Sequence, residues 1–293
     1  MKLGVVYPQI ELGGSPDALR AFATAAEALE YDFLCAYDHV LVGPHDRRDP
    51  PLVGGGYTEK HTFHDPLMIF SHLAATTQRL EFVPAVLVLP QRQAVLTARQ
   101  AADLDLFSGG RLRLGVGTGW NYLEYQALGA EFVSRGRRLD EQIEVMRLLW
   151  SGGVQSFDGR FHQVDRMALN PPPSRQIPIW MGGRSEAAYR RAARVGDGFI
   201  FAGRPETALE AWTELAGLVS KAGREPEHFG RQLDLWARET PKEMYEFAVR
   251  WRDGGGTHLG VATMNRGLMT LSDHIVYIAE VKRLIDKEGL QSE

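Results

Sequence analysis

The chain has 293 residues, of which 44% are hydrophobic and 24% charged, and its formal net charge is −4. This apolar content supports a full hydrophobic core, which excludes an intrinsically disordered protein. The near balance of 33 basic and 37 acidic residues lacks the basic excess that is typical of nucleic-acid-binding proteins. Cys35 is the only cysteine, so the sequence excludes a disulfide scaffold and a cysteine-based zinc site.

The apolar segments are too short for a transmembrane helix. The longest one, residues 82–90, has about half of the ~20 residues that a membrane span needs. The N-terminus enters a strand-like run at once and lacks the hydrophobic region and cleavage site of a signal peptide. We therefore expect a cytoplasmic protein that binds neither membranes nor nucleic acids.

Short apolar runs alternate with longer amphipathic segments along the chain, which is typical of strands that are each followed by a helix. Eight strands are predicted, at residues 3–7, 32–37, 80–87, 111–117, 177–181, 197–201, 233–237 and 257–261. Helices are expected at residues 15–30, from 65 onward, and at 91–107, 135–151, 185–195, 205–221, 241–252 and 272–287. A long loop over residues 41–64 and a small hairpin over residues 155–163 interrupt the alternation.

Eight strand–helix units without a linker or low-complexity stretch predict a single α/β domain over residues 1–293. The number of units favours a closed (β/α)8 TIM barrel over an open doubly wound sheet. The long loop follows the second strand of this barrel, and the hairpin belongs to a small excursion near residues 152–175. Active sites of such barrels lie at the carboxyl ends of the strands. Those ends are residues 38–39, 85–89, 118–121, 182–184, 202–204, 238–239 and 262–268.

Asp38 and His39 directly follow the second predicted strand. A carboxylate beside an imidazole sets the tautomer of the ring or raises its affinity for a proton, which suits acid–base chemistry near neutral pH. The pair also fits an ordinary loop, in which the aspartate caps a turn and the histidine is solvated. The sequence leaves both interpretations open.

Two glycine-rich turns end the fourth and fifth predicted strands. Residues 115–120 resemble a dinucleotide fingerprint but lack its third spaced glycine and its acidic residue, so we reject a Rossmann fold. Trp120 either stacks on a ring system or packs as a lid residue on the barrel rim. Residues 182–185 precede a predicted helix and form either a phosphate site at its N-terminus or a tight turn with a serine cap.

Several other sites receive little support. The sequence contains no Gly-x-Ser-x-Gly elbow and no Walker loop, which argues against acyl and nucleotidyl transfer. His61 and His64 have no third ligand nearby in the sequence, so we expect no metal site. Residues 85–89 have the composition of a buried strand, although an apolar wall also suits the face of a flat cofactor.

Four stretches resemble, in order, the bacterial luciferase-like family of flavin- and deazaflavin-dependent oxidoreductases. They are residues 33–39 (FLCAYDH), 98–120 (ARQAADLDLFSGGRLRLGVGTGW), 177–183 (IPIWMGG) and 196–199 (GDGF). Residues 256–268 (GTHLGVATMNRGL) are similar to the branch described as coenzyme F420-dependent. The resemblance covers almost the whole chain, and it implies a (β/α)8 barrel that binds F420 or FMN at its mouth.

The resemblance also implies roles for individual residues. His39 would be the acid–base residue near the reactive carbon of the cofactor ring, with Asp38 as its partner. A bulge with a non-prolyl cis peptide behind the ring matches Ala85 and Val86. The other implied cofactor-binding residues are Val88, Thr118 and Gly119 at the ring, and Gly182, Gly183, Arg184 and Ser185 at the phosphate. The substrate pocket would be formed by Trp120, Trp180 and Met264, with residues 41–64 as a lid.

The leading hypothesis is F420-dependent hydride transfer to or from a small hydrophobic substrate, with His39 as acid–base residue. The alternatives are an FMN-dependent two-component monooxygenase, which implies a separate flavin reductase, and a non-catalytic flavin-binding protein. Sugar-phosphate-oxidising members carry a catalytic glutamate where this chain has Trp120, which argues against that substrate class. Glu124, four residues later, receives no role. Since barrels of this family often pair, the resemblance also implies a homodimer.

Overall fold

The computed structural model describes residues 1–235 and 240–287, and its elements follow the predicted alternation. The strands are β1 (Lys2–Val6), β2 (Phe33–Ala36), β3 (Glu81–Pro84), β4 (Leu87–Val88), β5 (Leu114–Gly117), β6 (Gln155–Asp158), β7 (Gln163–Met167), β8 (Ile179–Gly182), β9 (Gly198–Ala202), β10 (Gly230–Leu235) and β11 (His258–Ala262). The α-helices are α1 (Gln9–Leu12), α2 (Pro16–Ala28), α3 (Pro66–Ala74), α4 (Ala94–Phe107), α5 (Tyr122–Ala127), α6 (Arg135–Trp150), α7 (Glu186–Val195), α8 (Pro205–Lys221), α9 (Pro241–Asp253) and α10 (Leu271–Lys287).

Nine strands form one parallel sheet in the order β3-β2-β1-β11-β10-β9-β8-β5-β4, while β6 and β7 form the predicted antiparallel hairpin. The third predicted strand is split into β3 and β4, and the peptide bond between Ala85 and Val86 in the gap is cis. Phe82 of β3 forms a parallel bridge to Leu112, and β4 pairs with β5. The two halves therefore bring the ends of the sheet together, which confirms the predicted barrel.

Capping residues set where several helices begin. The Ser15 side chain accepts a hydrogen bond from the Ala18 N–H at the start of α2, and Asp65 caps α3 in the same way. Thr240 and Glu243 form a reciprocal capping box on α9. A proline occupies the first turn of each of these three helices, where its missing N–H costs nothing.

Two short helices, α1 and α5, were not predicted from the sequence. α1 has four residues and α5 has six, so neither is long enough to show a helical repeat of apolar residues. The seventh predicted strand begins three residues early, at Gly230, and its last two predicted residues lie outside the described residues together with the candidate strand end at 238–239. Among the helices that the structure describes, none has the length and apolar character needed to cross a membrane.

The barrel interior contains a row of hydrogen-bonded polar side chains. The Arg113 guanidinium donates to Oε1 of Gln232 at 2.7 Å, and Nε2 of Gln232 donates to Oδ1 of Asp234 at 2.7 Å. The second carboxylate oxygen of Asp234 has no hydrogen-bond partner among the described residues. Burial disfavours the charged form and raises the pKa of Asp234 to about 7, so this side chain takes up a proton near neutral pH.

Replacing Asp234 with asparagine should therefore change how stability depends on pH. From about pH 4 to about pH 7 the folded native chain keeps a proton on Asp234 that the unfolded chain has released. As the pH rises over this range, Asp234 therefore lowers the free energy of unfolding of the native chain by about 1.4 kcal/mol per pH unit. Asparagine does not titrate, so the variant does not lose stability in this way. Urea unfolding should show that the stability of Asp234→Asn relative to the native chain rises over this range and then levels off. Asp165→Asn, at an exposed position, is the control, and a pH-independent difference for Asp234→Asn contradicts the assignment.

Candidate active site

The carboxyl ends of the barrel strands surround one open end, which we call the mouth. His39 follows β2, Thr118 to Trp120 follow β5, and Met264 follows β11. Met264 is buried in an apolar cluster that also contains Val86 and, from the loop after β2, Tyr57 and Phe63. The structure thus brings together residues from strands that lie far apart in the sequence. It confirms a long loop over residues 41–64, which we call the lid loop.

Ala85 and Val86, which we call the bulge, form one wall of the mouth. Val86 packs so closely on the neighbouring strands that a Cβ on Gly117 or on Gly182 would lie 2.6 Å from one of its methyl groups. Gly119 has a positive φ of 63°, and a Cβ there would lie 2.6 Å from Val88. Glycines on β5 and β8 are therefore required for the bulge to fit, and the cis peptide predicted between Ala85 and Val86 is confirmed.

Asp38 is fully buried, and both of its carboxylate oxygens accept hydrogen bonds. Oδ2 accepts from the Val88 N–H at 2.8 Å, and Oδ1 accepts from the Arg92 guanidinium at 2.7 Å. Arg92 also donates to Asp65, the residue that caps α3, at 2.7 Å. Burial raises the pKa of Asp38, and the Arg92 guanidinium and the Val88 N–H offset part of that rise.

His39 pairs with a different carboxylate from the one predicted. Its Nδ1 lies 2.9 Å from Oε2 of Glu124, and both side chains are buried. Because Asp38 is engaged with Val88 and Arg92, the prediction that Asp38 partners His39 is wrong. Glu124 lies on α5, which the sequence analysis missed. The sequence signal that could have predicted α5 is Asn121, whose side chain accepts a hydrogen bond from the Leu123 N–H and so caps this helix.

Three aromatic rings pack around His39. The rings of Phe63, Tyr57 and Trp120 contact it edge-on, with centroid distances of 4.8, 5.6 and 5.6 Å. Trp120 in turn packs against Gly55 of the lid loop, where a Cβ would lie 2.3 Å from the indole ring. Trp120 therefore lies where the lid loop meets the mouth, as the rim-packing interpretation predicts. Burial raises the pKa of Tyr57 to about 12, so its phenol is neutral at physiological pH.

The turn after β8 has the geometry of a helix entry. The Ser185 hydroxyl accepts a hydrogen bond from the Ala188 N–H and caps α7. Gly183 has a φ of 151°, and a Cβ there would lie 2.8 Å from the Ala188 side chain. Residues 183–185 are exposed on the rim of the mouth. The serine cap is thus present, and the N-terminus of a ten-residue helix faces the rim.

Trp180 is not at the mouth, and its prediction as a substrate-pocket residue is wrong. Its ring packs on Gly230 at the start of β10 and on His258 at the start of β11, with centroids of the two rings 4.8 Å apart. The Arg113 guanidinium carbon lies 4.2 Å from the centroid of the Trp180 ring. The amino ends of the strands lie at the far end of the barrel, so Trp180 fills the barrel floor.

The two histidines of the lid loop make separate hydrogen bonds. Nδ1 of His61 accepts from the Thr58 N–H at 2.9 Å, whereas Nε2 of His64 accepts from the Gly14 N–H at 3.4 Å. In residues 1–235 and 240–287, no three histidine, cysteine or acidic side chains come together as a metal ion would require.

Comparison with protein families shows to which family the chain belongs. A family model described as luciferase-like monooxygenase matches residues 1–266, which is most of the sequence. The chain belongs to this family. Its barrel is therefore the barrel of a luciferase-like protein.

Its relatives differ in cofactor. An F420-dependent glucose-6-phosphate dehydrogenase of Nakamurella multipartita is 30% identical over 228 residues, which cover 75% of this chain and 63% of that protein. An FMNH2-dependent dimethylsulfone monooxygenase of Pseudomonas fluorescens is 32% identical over 185 residues, covering 62% and 50%. An uncharacterised protein of Mycobacterium tuberculosis is 35% identical over 191 residues, covering 64% and 66%. The chain thus spans about half to two thirds of the length of these relatives.

Solved structures show the same fold. An F420-dependent secondary alcohol dehydrogenase, solved with an F420–acetone adduct, superposes with a TM-score of 0.78 at 16% identity over 97% of this chain and 98% of that one. A long-chain alkane monooxygenase gives a TM-score of 0.77 at 16% identity over 100% and 92%. At this level of identity the similarity establishes the luciferase-like barrel and leaves the reaction to be argued from the site.

Replacing Arg92 with methionine should strongly destabilise this luciferase-like barrel. The substitution leaves the buried Asp38 carboxylate without its guanidinium, a situation that costs about 3–5 kcal/mol. Arg190→Met removes an exposed ion pair with Glu186 and should cost less than about 1 kcal/mol. Urea unfolding compares the two variants. The double variant Arg92→Met/Asp38→Asn should recover part of the loss, and equal losses for the two single variants would contradict this role of Arg92.

Proposed function

We propose that this protein is a coenzyme F420-dependent oxidoreductase that transfers a hydride to or from a small hydrophobic substrate, with His39 as the acid–base residue. The observation that carries the proposal is the placement of His39. Its ring stands at the mouth, its Nδ1 is held by Glu124, and its Nε2 forms no hydrogen bond within residues 1–235 and 240–287. Nε2 is thus the nitrogen that can exchange a proton with a ligand.

The residues at the mouth fit a flat cofactor with a phosphate. Gly117, Gly119 and Gly182 let the bulge and Val88 pack directly on backbone, which leaves a smooth wall where side chains would otherwise project. We propose that Asp38, His39, Ala85, Val86, Val88, Thr118 and Gly119 form the ring site. At the rim, the N-terminus of α7 offers N–H groups and a positive dipole end to a phosphate. There we propose Gly182, Gly183, Arg184 and Ser185 as ligands.

The protein's own contribution is position, proton transfer and exclusion of water. When bound, the cofactor supplies a centre that accepts or gives a hydride, and the protein orients the substrate against it. His39 would give or take the accompanying proton at Nε2. The lid loop, Trp120 and Met264 would enclose the substrate, and their apolar and neutral aromatic side chains favour a hydrophobic molecule.

The preference for F420 over FMN rests on residues 256–268, which are similar to the F420-dependent branch. Relatives of both kinds match the chain: the F420-dependent relative is 30% identical and the FMNH2-dependent relative is 32% identical. The similarity to the FMNH2-dependent relative favours a second candidate, an FMN-dependent monooxygenase. The enclosed aromatic mouth also favours it, because monooxygenase chemistry needs a pocket that excludes water. That protein would need a separate reductase to supply reduced flavin.

Fluorescence titration of the purified apo-protein with F420 and, separately, with FMN tests the choice of cofactor. We expect F420 to bind with a Kd at least about tenfold lower than that of FMN, a difference of about 1.4 kcal/mol. Gly182→Val, which places a branched side chain against Val86 and fills the ring wall, should abolish binding. Tighter binding of FMN would support the monooxygenase, and a folded protein that binds neither compound would contradict both.

Replacing His39 with alanine should lower turnover by about 10²–10⁴, the usual contribution of a general acid or base. Cofactor affinity should change little, because the proposal gives His39 a proton-transfer role. Turnover is followed by the absorbance of F420 with a panel of secondary alcohols and activated alkenes. His72→Ala, an exposed histidine of α3 next to Arg20, is the control. Full activity of His39→Ala on any substrate of the native enzyme would contradict the role.

A further inference from the structure

Glu124 is a buried carboxylate to which the proposed function gives no role of its own. It is the third residue of α5, and its side chain is only 2% exposed. A buried charge is costly unless hydrogen-bond donors surround it. Glu124 has three: Oε1 accepts from the Val40 N–H at 2.8 Å and from the Leu41 N–H at 3.2 Å, and Oε2 lies 2.9 Å from Nδ1 of His39.

The donors around Glu124 determine the direction of its bond to His39. Two backbone N–H groups point at Oε1, and a carboxylate can only accept hydrogen bonds. Nδ1 of His39 must then carry a proton and donate it to Oε2. A neutral imidazole with its proton on Nδ1 has a lone pair on Nε2. The geometry therefore selects one of the two tautomers of the His39 ring.

We propose that Glu124 is the positioning residue of the site: it holds His39 in the Nδ1–H tautomer and so presents Nε2 to the mouth as a proton acceptor. The inference rests on the proposed role of His39 and adds how that role is set. Once Nε2 has taken up a proton, the ring still donates its Nδ1–H to the Glu124 carboxylate. The same carboxylate fixes the backbone of Val40 and Leu41 that follows the ring, so ring and backbone are oriented together.

The chain contains a second pair of the same kind away from the mouth. Nδ1 of His162 lies 2.8 Å from Oε1 of Glu141, whose carboxylate also accepts from the backbone N–H groups of Arg160 and Phe161. This pair lies where the hairpin β6–β7 meets α6. It provides a matched control, because the same substitution there changes a histidine that faces no proposed ligand.

The test is Glu124→Gln, with Glu141→Gln as its control. Glutamine keeps a carbonyl oxygen for the Val40 and Leu41 N–H groups but turns an NH2 group toward Nδ1. The His39 ring must then accept at Nδ1 and carry its proton on Nε2. Long-range ¹H–¹⁵N spectra of the apo-protein report the tautomer directly, and the His39 signals are identified by their loss in His39→Ala.

We expect the native His39 to show the Nδ1–H pattern and Glu124→Gln to show the Nε2–H pattern, while Glu141→Gln leaves the His39 signals unchanged. In turnover assays, Glu124→Gln should lower kcat by about 10²–10⁴ with cofactor Kd unchanged within about threefold. An unchanged His39 tautomer in Glu124→Gln overturns the inference. A switched tautomer with full turnover supports the positioning by Glu124 but overturns the catalytic role of His39, so the two failures are distinguishable.

Discussion

The buried ion pair between Asp38 and Arg92 is the interaction on which the arrangement of the mouth depends. Asp38 lies two residues after β2 and accepts the N–H of Val88 in β4, so it links the end of β2 to the strand that follows the bulge. Arg92 extends this connection to Asp65, where the lid loop ends and α3 begins. Since a buried charge needs its partner, these three elements are fixed relative to one another. The bulge and the lid loop are thereby both tied to the segment that precedes His39.

The two acidic side chains around His39 have different tasks. Asp38 is adjacent in sequence, yet its oxygens are directed at Arg92 and at the backbone of β4. Glu124 is 85 residues away and contacts the ring itself. Separating the two tasks lets the protein keep one carboxylate for architecture and another for the tautomer of the histidine. The carboxylate nearest in sequence to a histidine is thus not necessarily its hydrogen-bond partner.

Most of the barrel could be predicted from the sequence, because buried parallel strands leave short apolar runs and the helices between them carry a 3.6-residue repeat. The pattern could not show that the third strand breaks at Ala85, since both halves are apolar. It could not show α5 either, because six residues are too few for a repeat, and with α5 the Glu124 contact was lost. Trp180 was misplaced because it is only two residues from the strand end, although its inward-facing ring lies at the opposite end of the barrel.

Relatives of the chain depend on F420 or on FMNH2, and the proposed site explains what this chain would add to either cofactor. The most direct test of the account is a crystal structure of the protein with F420 bound. The account predicts that the ring lies against Ala85 and Val86, within about 4 Å of the Val86 side chain, with Nε2 of His39 facing the same cavity and Nδ1 still on Glu124. A ring bound away from the bulge, or a His39 side chain that has left Glu124 and points away from the ligand, would contradict it.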